Sequence, residues 1–160
     1  MTEIENFFLV LHGPNLNKLG YREPHIYGST TLEEIDGMLQ DLARKNSVGL
    51  ECFQSNHEGE LIDKIHTSSD RVNLKGIIIN AGGYTHTSIA LRDALLTKEN
   101  VPIVEVHLSN IFKREKIRHT SLIAGVADSI ISGCGHYGYI YGFQFLLQKI
   151  NGSKKSQKFN

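Results

Sequence analysis

Cysteine is scarce in this chain. Cys52 and Cys134 are the two among 160 residues, in unrelated contexts, and neither belongs to a C-x-x-C pair. That excludes a disulfide scaffold and a thiolate metal knot, and it fits a reducing cytoplasm, with both thiols read as plain core or surface groups. Net charge is also missing: 17 Lys and Arg balance 17 Asp and Glu. No broad basic surface for nucleic acid or for an anionic membrane follows from such a balance. No apolar run approaches the roughly 20 residues that a membrane span needs. The start, MTEIEN, is short and acidic, unlike a secretory leader. Neither a G-x-G-x-x-G nor a Walker pattern occurs, so no nucleotide signature is present. No internal repeat or second domain is visible. What remains is a chain that is 40% hydrophobic, long enough for one domain with a real core.

Apolar strands alternate with amphipathic helices. Phe7–Leu11 reads as a strand. Thr31–Lys45 reads as a helix, with Thr30 as N-cap, Glu33 three residues on, and an apolar stripe of Leu32, Ile35, Met38, Leu39 and Leu42. Strands are expected at Gly49–Gln54, at Gly76–Asn80 (buried on both faces), at Ile103–His107 and at Ser129–Gly133. Helices are expected at Gly59–Ser68 with Leu61, Ile62 and Ile65 inward, from a Thr85 cap to Thr97, and at His136–Ile150. Repeated strand–helix units of this length imply an α/β domain over residues 1–150, built on a doubly wound, parallel five-stranded sheet with helices on both faces. Residues 151–160, NGSKKSQKFN, read as a polar tail without fixed structure.

In such a sheet, ligands bind beyond the carboxyl ends of the strands. After the first strand comes GPNLNKLGYREPHIYG, Gly13 to Gly28, too polar and too rich in Gly and Pro for a helix or a strand. It carries Asn15, Arg22 and Tyr27. After the third comes NAGGYTHTS with Asn80 and His86; after the fourth, VEVHLSN with His107 and Ser109. Convergence of three strand ends on one rim separates a site from scattered polar residues. The spacing of Arg22 and Tyr27 can place a permanent cation beside a phenol. A free tyrosine titrates near 10, so a phenolate base at neutral pH needs a close cation and partial exclusion of water.

Taken singly, these residues have plainer readings. Gly82-Gly83 makes a tight turn before a helix. His107 or His86 alone suits a satisfied structural histidine, and His12 is a candidate on position only. Tyr27 alone suits a half-buried aromatic. Arg92 and Asp93 suit a solvated helix face or a subunit contact, and Tyr137, Tyr139 and Tyr141 read as packing.

Taken together, GPNLNKLGYREPHIYG, NAGGYTHTSIALRDAL and VPIVEVHLSNIFKREKIRHTS closely resemble the type II 3-dehydroquinate dehydratases, in order and at family spacing from about Phe7 to Leu147. The resemblance implies a flavodoxin-like fold, a cofactor-free and metal-free dehydration of 3-dehydroquinate to 3-dehydroshikimate in the shikimate pathway, and a cytoplasmic dodecamer built from trimers. It implies roles too: Tyr27 as base, Arg22 as its activating arginine, and Asn15 as the residue that orients a water against an enolate. His107 would protonate the leaving hydroxyl and Glu105 would hold that histidine. Asn80, His86, Ser109 and Arg118 would bind substrate, the backbone N–H groups of Leu108 and Ser109 would hold its carboxylate, and Asp93 would reach in from a neighbouring subunit.

Two rivals of other classes remain at this point. A non-catalytic flavodoxin-like anion-binding module explains the fold and the Gly-Gly turn, but not an Arg–Tyr loop opposite a strand-end histidine. A metallohydrolase using His12, His86 and His107 lacks carboxylates at ligand spacing, except Glu105.

Overall fold

A computed structural model describes residues 4–156 apart from Ser69. Five strands, β1 (Phe7–His12), β2 (Gly49–Gln54), β3 (Leu74–Asn80), β4 (Ile103–His107) and β5 (Ser129–Ser132), form one sheet in the order β2-β1-β3-β4-β5. Every neighbouring pair is parallel. The helices are α1 (Pro24–Tyr27), α2 (Leu32–Lys45), α3 (Glu58–Ser68), α4 (Ile89–Leu96) and α5 (Tyr137–Ser156). This is the flavodoxin-like order, with the chain stepping to opposite sides of β1 to make β2 and β3.

Period-two alternation splits the strand side chains into two cores. Phe8, Val10, Ile78, Val104 and Val106 meet Ile35 and Leu39 of α2 and Tyr139, Phe143 and Leu146 of α5. Leu9, Leu11, Ile77, Ile79 and Ile103 meet Leu61 and Ile65 of α3 and Leu91 and Leu95 of α4. Covered on both faces, β1 is buried at all 6 positions, which is why FFLVLH reads as a continuous apolar run rather than an alternating one. Among the described residues no helix is long and apolar enough to cross a membrane.

Several sequence-predicted boundaries move, each for a local reason. The N-cap of α2 is Thr31, not Thr30, and it closes a reciprocal capping box with Glu34 rather than Glu33. Such a cap contributes about 1 kcal/mol, and the Thr31 backbone N–H beside it holds the Glu34 carboxyl below its ordinary range. Met38, expected in the apolar stripe, is exposed, and Ile62 is only partly buried at the core margin. The helix expected from Thr85 is interrupted: Gly82–His86 is a 3-10 turn, and α4 starts at Ile89, with Ser88 as its N-cap accepting the Leu91 N–H. Thr85 is instead fully buried. α5 continues past Ile150 to Ser156, taking in six residues of the segment expected to lack fixed structure; residues 157–160 lie outside the described residues.

Candidate active site

The loop after β1 is not without regular structure, as its composition suggests. It contains a 3-10 turn at Leu16–Lys18 and the single turn α1, with Pro24 at the start where its missing N–H costs nothing. Leu16 and Leu19 sink into the core beside α2 and pin the loop down. Each such burial is worth about 1.5–3 kcal/mol. At the root of the loop, the Gly13 N–H donates to the Asn80 carbonyl at 2.7 Å. A Cβ on Gly13 would fall 2.3 Å from the Ala81 carbonyl oxygen, so only glycine lets the ends of β1 and β3 lie this close.

The loop, the turn after β3 and the segment after β4 enclose a cleft at the C-terminal edge of the sheet. Of the residues singled out from sequence, Asn15, Arg22, Tyr27, Asn80, His86, His107, Leu108, Ser109 and Arg118 all line it. Two do not. Glu105 stands behind His107, wholly buried. Asp93 is exposed on α4 and pairs with Arg92 at 3.2 Å.

The guanidinium nearest the phenol oxygen is not the expected one. Arg114 donates to the Tyr27 hydroxyl oxygen at 2.8 Å and lies close to Ser109 Oγ, with its side chain largely buried. Arg22 stands 5.7 Å from the Tyr27 ring centroid and spends its charge on Glu23 at 3.1 Å. A cation hydrogen-bonded to a phenol oxygen favours the charged form. Arg114 therefore holds the position from which a phenolate would be stabilised, while Arg22 stands over the ring. Sequence reading passed over Arg114 because 87 residues separate it from Tyr27 and no periodicity links them. The signal available was its place in NIFKREKIRHTS, the segment that also carries Arg118.

Opposite Tyr27, the buried His107 faces the cleft from the end of β4. Its Nε2 lies 2.8 Å from Glu105 Oε1, and a carboxylate only accepts, so Nε2 donates and Nδ1 remains for chemistry. Ser121 donates from its hydroxyl to the same oxygen, while its own oxygen accepts from the Ile123 and Ala124 N–H groups. The histidine is thereby anchored through two side chains to a turn beyond β4. Ser121 is a second residue that sequence reading missed. Glu105 Oε2 has no hydrogen-bond partner in the described structure.

The remaining lining groups are also oriented. His86 Nδ1 donates to the Thr120 carbonyl at 2.8 Å, which leaves Nε2 as an acceptor. Arg118 is braced by Glu115 at 2.8 Å. The Glu115 backbone N–H, and after it the Arg118 guanidinium, hold the Glu115 carboxyl below its ordinary range. Asn80 Oδ1 accepts the Gly82 N–H at 3.2 Å.

The three-histidine metal arrangement is not assembled. Among the described residues the one group of metal-capable side chains in mutual reach is His12, Asp36 and Cys52, with donor atoms within 4.8 Å of one another. His12 Nε2 and Asp36 Oδ1 are 2.8 Å apart, a hydrogen-bond distance. Two ligands of one tetrahedral ion with bonds of about 2.0–2.1 Å stand farther apart, at about 3.3 Å. The Cys52 thiol is pushed far above its ordinary range by burial and by the adjacent Asp36 carboxylate.

Comparison with known proteins identifies the family. A family model described as Dehydroquinase class II matches residues 6–147. A 3-dehydroquinate dehydratase of Prochlorococcus marinus is 54% identical over 147 residues, covering 92% of this chain and 97% of the relative. One from Haemophilus influenzae is 52% identical over 139 residues, covering 87% and 91%. The crystal structure of a type II dehydroquinase from Butyrivibrio crossotus superposes with a TM-score of 0.86 at 42% identity, covering 89% of this chain and 97% of that one. A fold in the order β2-β1-β3-β4-β5, with an arginine on a loop tyrosine and a carboxylate behind a strand-end histidine, thus sits in a chain that belongs to the class II dehydroquinases.

Proposed function

We propose that the protein dehydrates 3-dehydroquinate to 3-dehydroshikimate as a carbon–oxygen hydro-lyase of the shikimate pathway, in the cytoplasm and without a cofactor. The observation that carries this reading is the Arg114–Tyr27 hydrogen bond, 2.8 Å long, in a cleft shared with the Glu105–His107 pair. The reaction removes a proton beside a ketone and expels a β-hydroxyl. It needs a base, a means of stabilising an enolate and an acid.

Tyr27, held as phenolate by Arg114 and by Arg22 over its ring, takes the proton from the carbon next to the ketone. The electron pair moves onto the ketone oxygen as an enolate, toward a water oriented by Asn15. His107 as imidazolium, with Glu105 as counter-charge, gives its proton to the departing hydroxyl, which leaves as water. The enolate collapses to the conjugated enone, and the proton on Tyr27 returns to His107 for the next turn. Closure of the loop over substrate would exclude water and strengthen each of these interactions. Asn80, His86, Ser109, Arg118 and the backbone N–H groups of Leu108 and Ser109 bind the hydroxyls and carboxylate of the substrate.

Incubating the purified protein with 3-dehydroquinate and a chelator should produce the ultraviolet absorbance of an enone. A folded preparation that gives none would end this reading. Borohydride added with substrate should leave activity and protein mass unchanged: no lysine stands at the three strand ends, and Lys18, which lines the cleft from the loop after β1, has no part in the proposed chemistry. We further propose a homo-oligomer, a dodecamer built from trimers, in which the exposed Asp93 of one subunit completes the cleft of the next. Co-assembled Asp93→Ala and Tyr27→Phe subunits should then exceed the mean activity of their parents; an unchanged mean would return Asp93 to the surface.

A further inference from the structure

Strand β4 outlasts its partner on one side. Its pairing with β3 ends at Ile79 with Glu105, whereas its pairing with β5 runs on to His107 with Ser132. Past Glu105 the chain is held from the β5 side, and its other side opens on the cleft, which His107, Leu108 and Ser109 line. Three successive carbonyls are tied down there. The His107 carbonyl accepts the Gly133 N–H at 3.2 Å, and the Leu108 carbonyl accepts the Gly135 N–H at 2.9 Å. The Ser109 carbonyl accepts the Ser132 hydroxyl at 3.1 Å.

In a planar trans peptide the N–H points opposite to the C=O of the same unit. Holding the His107 carbonyl toward the end of β5 therefore turns the Leu108 N–H away from it, and holding the Leu108 carbonyl does the same for the Ser109 N–H. An extended strand would send these two N–H groups to opposite edges. Two adjacent N–H groups facing one way make a concave donor pair, a backbone arrangement that suits an anion. Among the described residues neither N–H has a hydrogen-bond partner of its own. The turn between β5 and α5 is shaped to set the tethers. Gly133 has φ 90° and Gly135 φ 56°, in the left-handed region that glycine enters freely. A Cβ on Gly133 would stand 3.1 Å from Asn110 Cβ, while one on Gly135 would meet nothing within 4 Å. Both glycines stand outside the cleft lining and have no part in the chemistry above.

We infer that Gly133 and Gly135 are positioning residues: their N–H groups hold the His107 and Leu108 carbonyls so that the Leu108 and Ser109 N–H groups stand preset as a pair for the substrate carboxylate, selecting an anion over a neutral acyl group. This rests on the reading of the cleft as a 3-dehydroquinate site. Donors set in advance lose little freedom when the ligand arrives. Hydrogen bonds to an ionised acceptor are about twice as strong as those to a neutral one, so the aligned pair rewards a carboxylate over a carboxamide of the same shape.

The test uses the full chain and three changes at one position. Gly135→Asn keeps the left-handed backbone, which asparagine tolerates, and Gly135→Val forces a β-branched residue out of it. In the third, an ester replaces the amide between Cys134 and Gly135, which deletes the tethering N–H and adds no side chain. Cys134 allows this by chemical ligation of residues 1–133 to a synthetic 134–160, with the all-amide ligated chain as control. Gly135→Val and the ester should each raise KM for 3-dehydroquinate about five-fold with kcat within about two-fold, the signature of lost ground-state binding. They should also shrink, by about the same factor, the preference in kcat/KM for 3-dehydroquinate over its primary carboxamide. Gly135→Asn should stay near the wild type in both. A general loosening of the fold would slow both substrates together, and a preference left intact in the ester chain would overturn the inference, as would a wild-type KM. If Gly135→Val fails to fold, the ester chain decides. A wild-type chain inactive on 3-dehydroquinate would refute the substrate reading instead. The tether is then judged by calorimetric titration with benzoate, a plain ring carboxylate: weaker binding to the ester chain than to its control supports it, and equal binding overturns it.

Discussion

Tyr27→Phe should abolish turnover while leaving the cleft able to bind a substrate analogue. The substitution removes one oxygen and little volume from a half-buried ring packed against the α2–α5 core, so the fold should survive. It takes away the proton acceptor, and a positioned general base is worth about 10²–10⁴ in rate. Arg114 provides the sharper comparison. Its guanidinium lies 2.8 Å from the phenol oxygen, whereas Arg22 faces the ring and is bound to Glu23. Arg114→Ala should therefore move the pH at which activity rises to higher values, and by more than Arg22→Ala does. The sign follows from the chemistry: removing a cation disfavours the phenolate, so more alkaline solution is needed to form it. Rate-against-pH profiles of both variants check this. If Arg22→Ala moved the profile and Arg114→Ala did not, the activating role would belong to Arg22, with the loop rearranging on substrate to bring it to the oxygen.

The second large effect is expected at His107. His107→Ala should lower kcat by about 10²–10⁴, the range of a lost general acid, with a smaller change in KM. Glu105→Gln should fall between that variant and wild type. Glutamine keeps an oxygen that can accept from His107 Nε2, but removes the counter-charge for the imidazolium. Glu105 is wholly buried behind the histidine, so its replacement also alters folding stability, and steady-state kinetics must be read beside a thermal melt. Single-turnover experiments would show the loss in the chemical step. A Glu105→Gln variant with wild-type kcat would assign the carboxylate a packing role only.

Much of the architecture was legible in the residues themselves. Gly49–Gln54 and Ile103–His107 were placed to the residue, because runs of apolar, β-branched and aromatic side chains bounded by turn residues leave few alternatives. The parallel order followed from alternation of strands with amphipathic helices. Boundaries set by side-chain capping were harder. Thr30 and Thr31 are both competent caps, and the packing of Ile35 and Leu39 selects Thr31. Thr85 had the composition of a cap, yet burial claimed it and Ser88 took the role. The polar loop after β1 hid two short helical turns, because Leu16 and Leu19 gain a core contact that no local pattern announces.

The sequence by itself determined the class of fold, the rim where chemistry would gather, and nine of the residues that line the cleft. Strand ends are local features, and residues that follow them share one edge whatever the packing. Only the tertiary structure decided which side chains touch. It set Arg114 rather than Arg22 on the phenol oxygen, put Ser121 on the far side of Glu105, and joined Asp36 and Tyr139 through His12. Those partners are separated in sequence by as many as 127 residues. A hydrogen bond depends on distances of a few tenths of an ångström and on which atom holds the proton, and neither is encoded in local spacing. Both emerge only when helices and loops close over the two faces of the sheet.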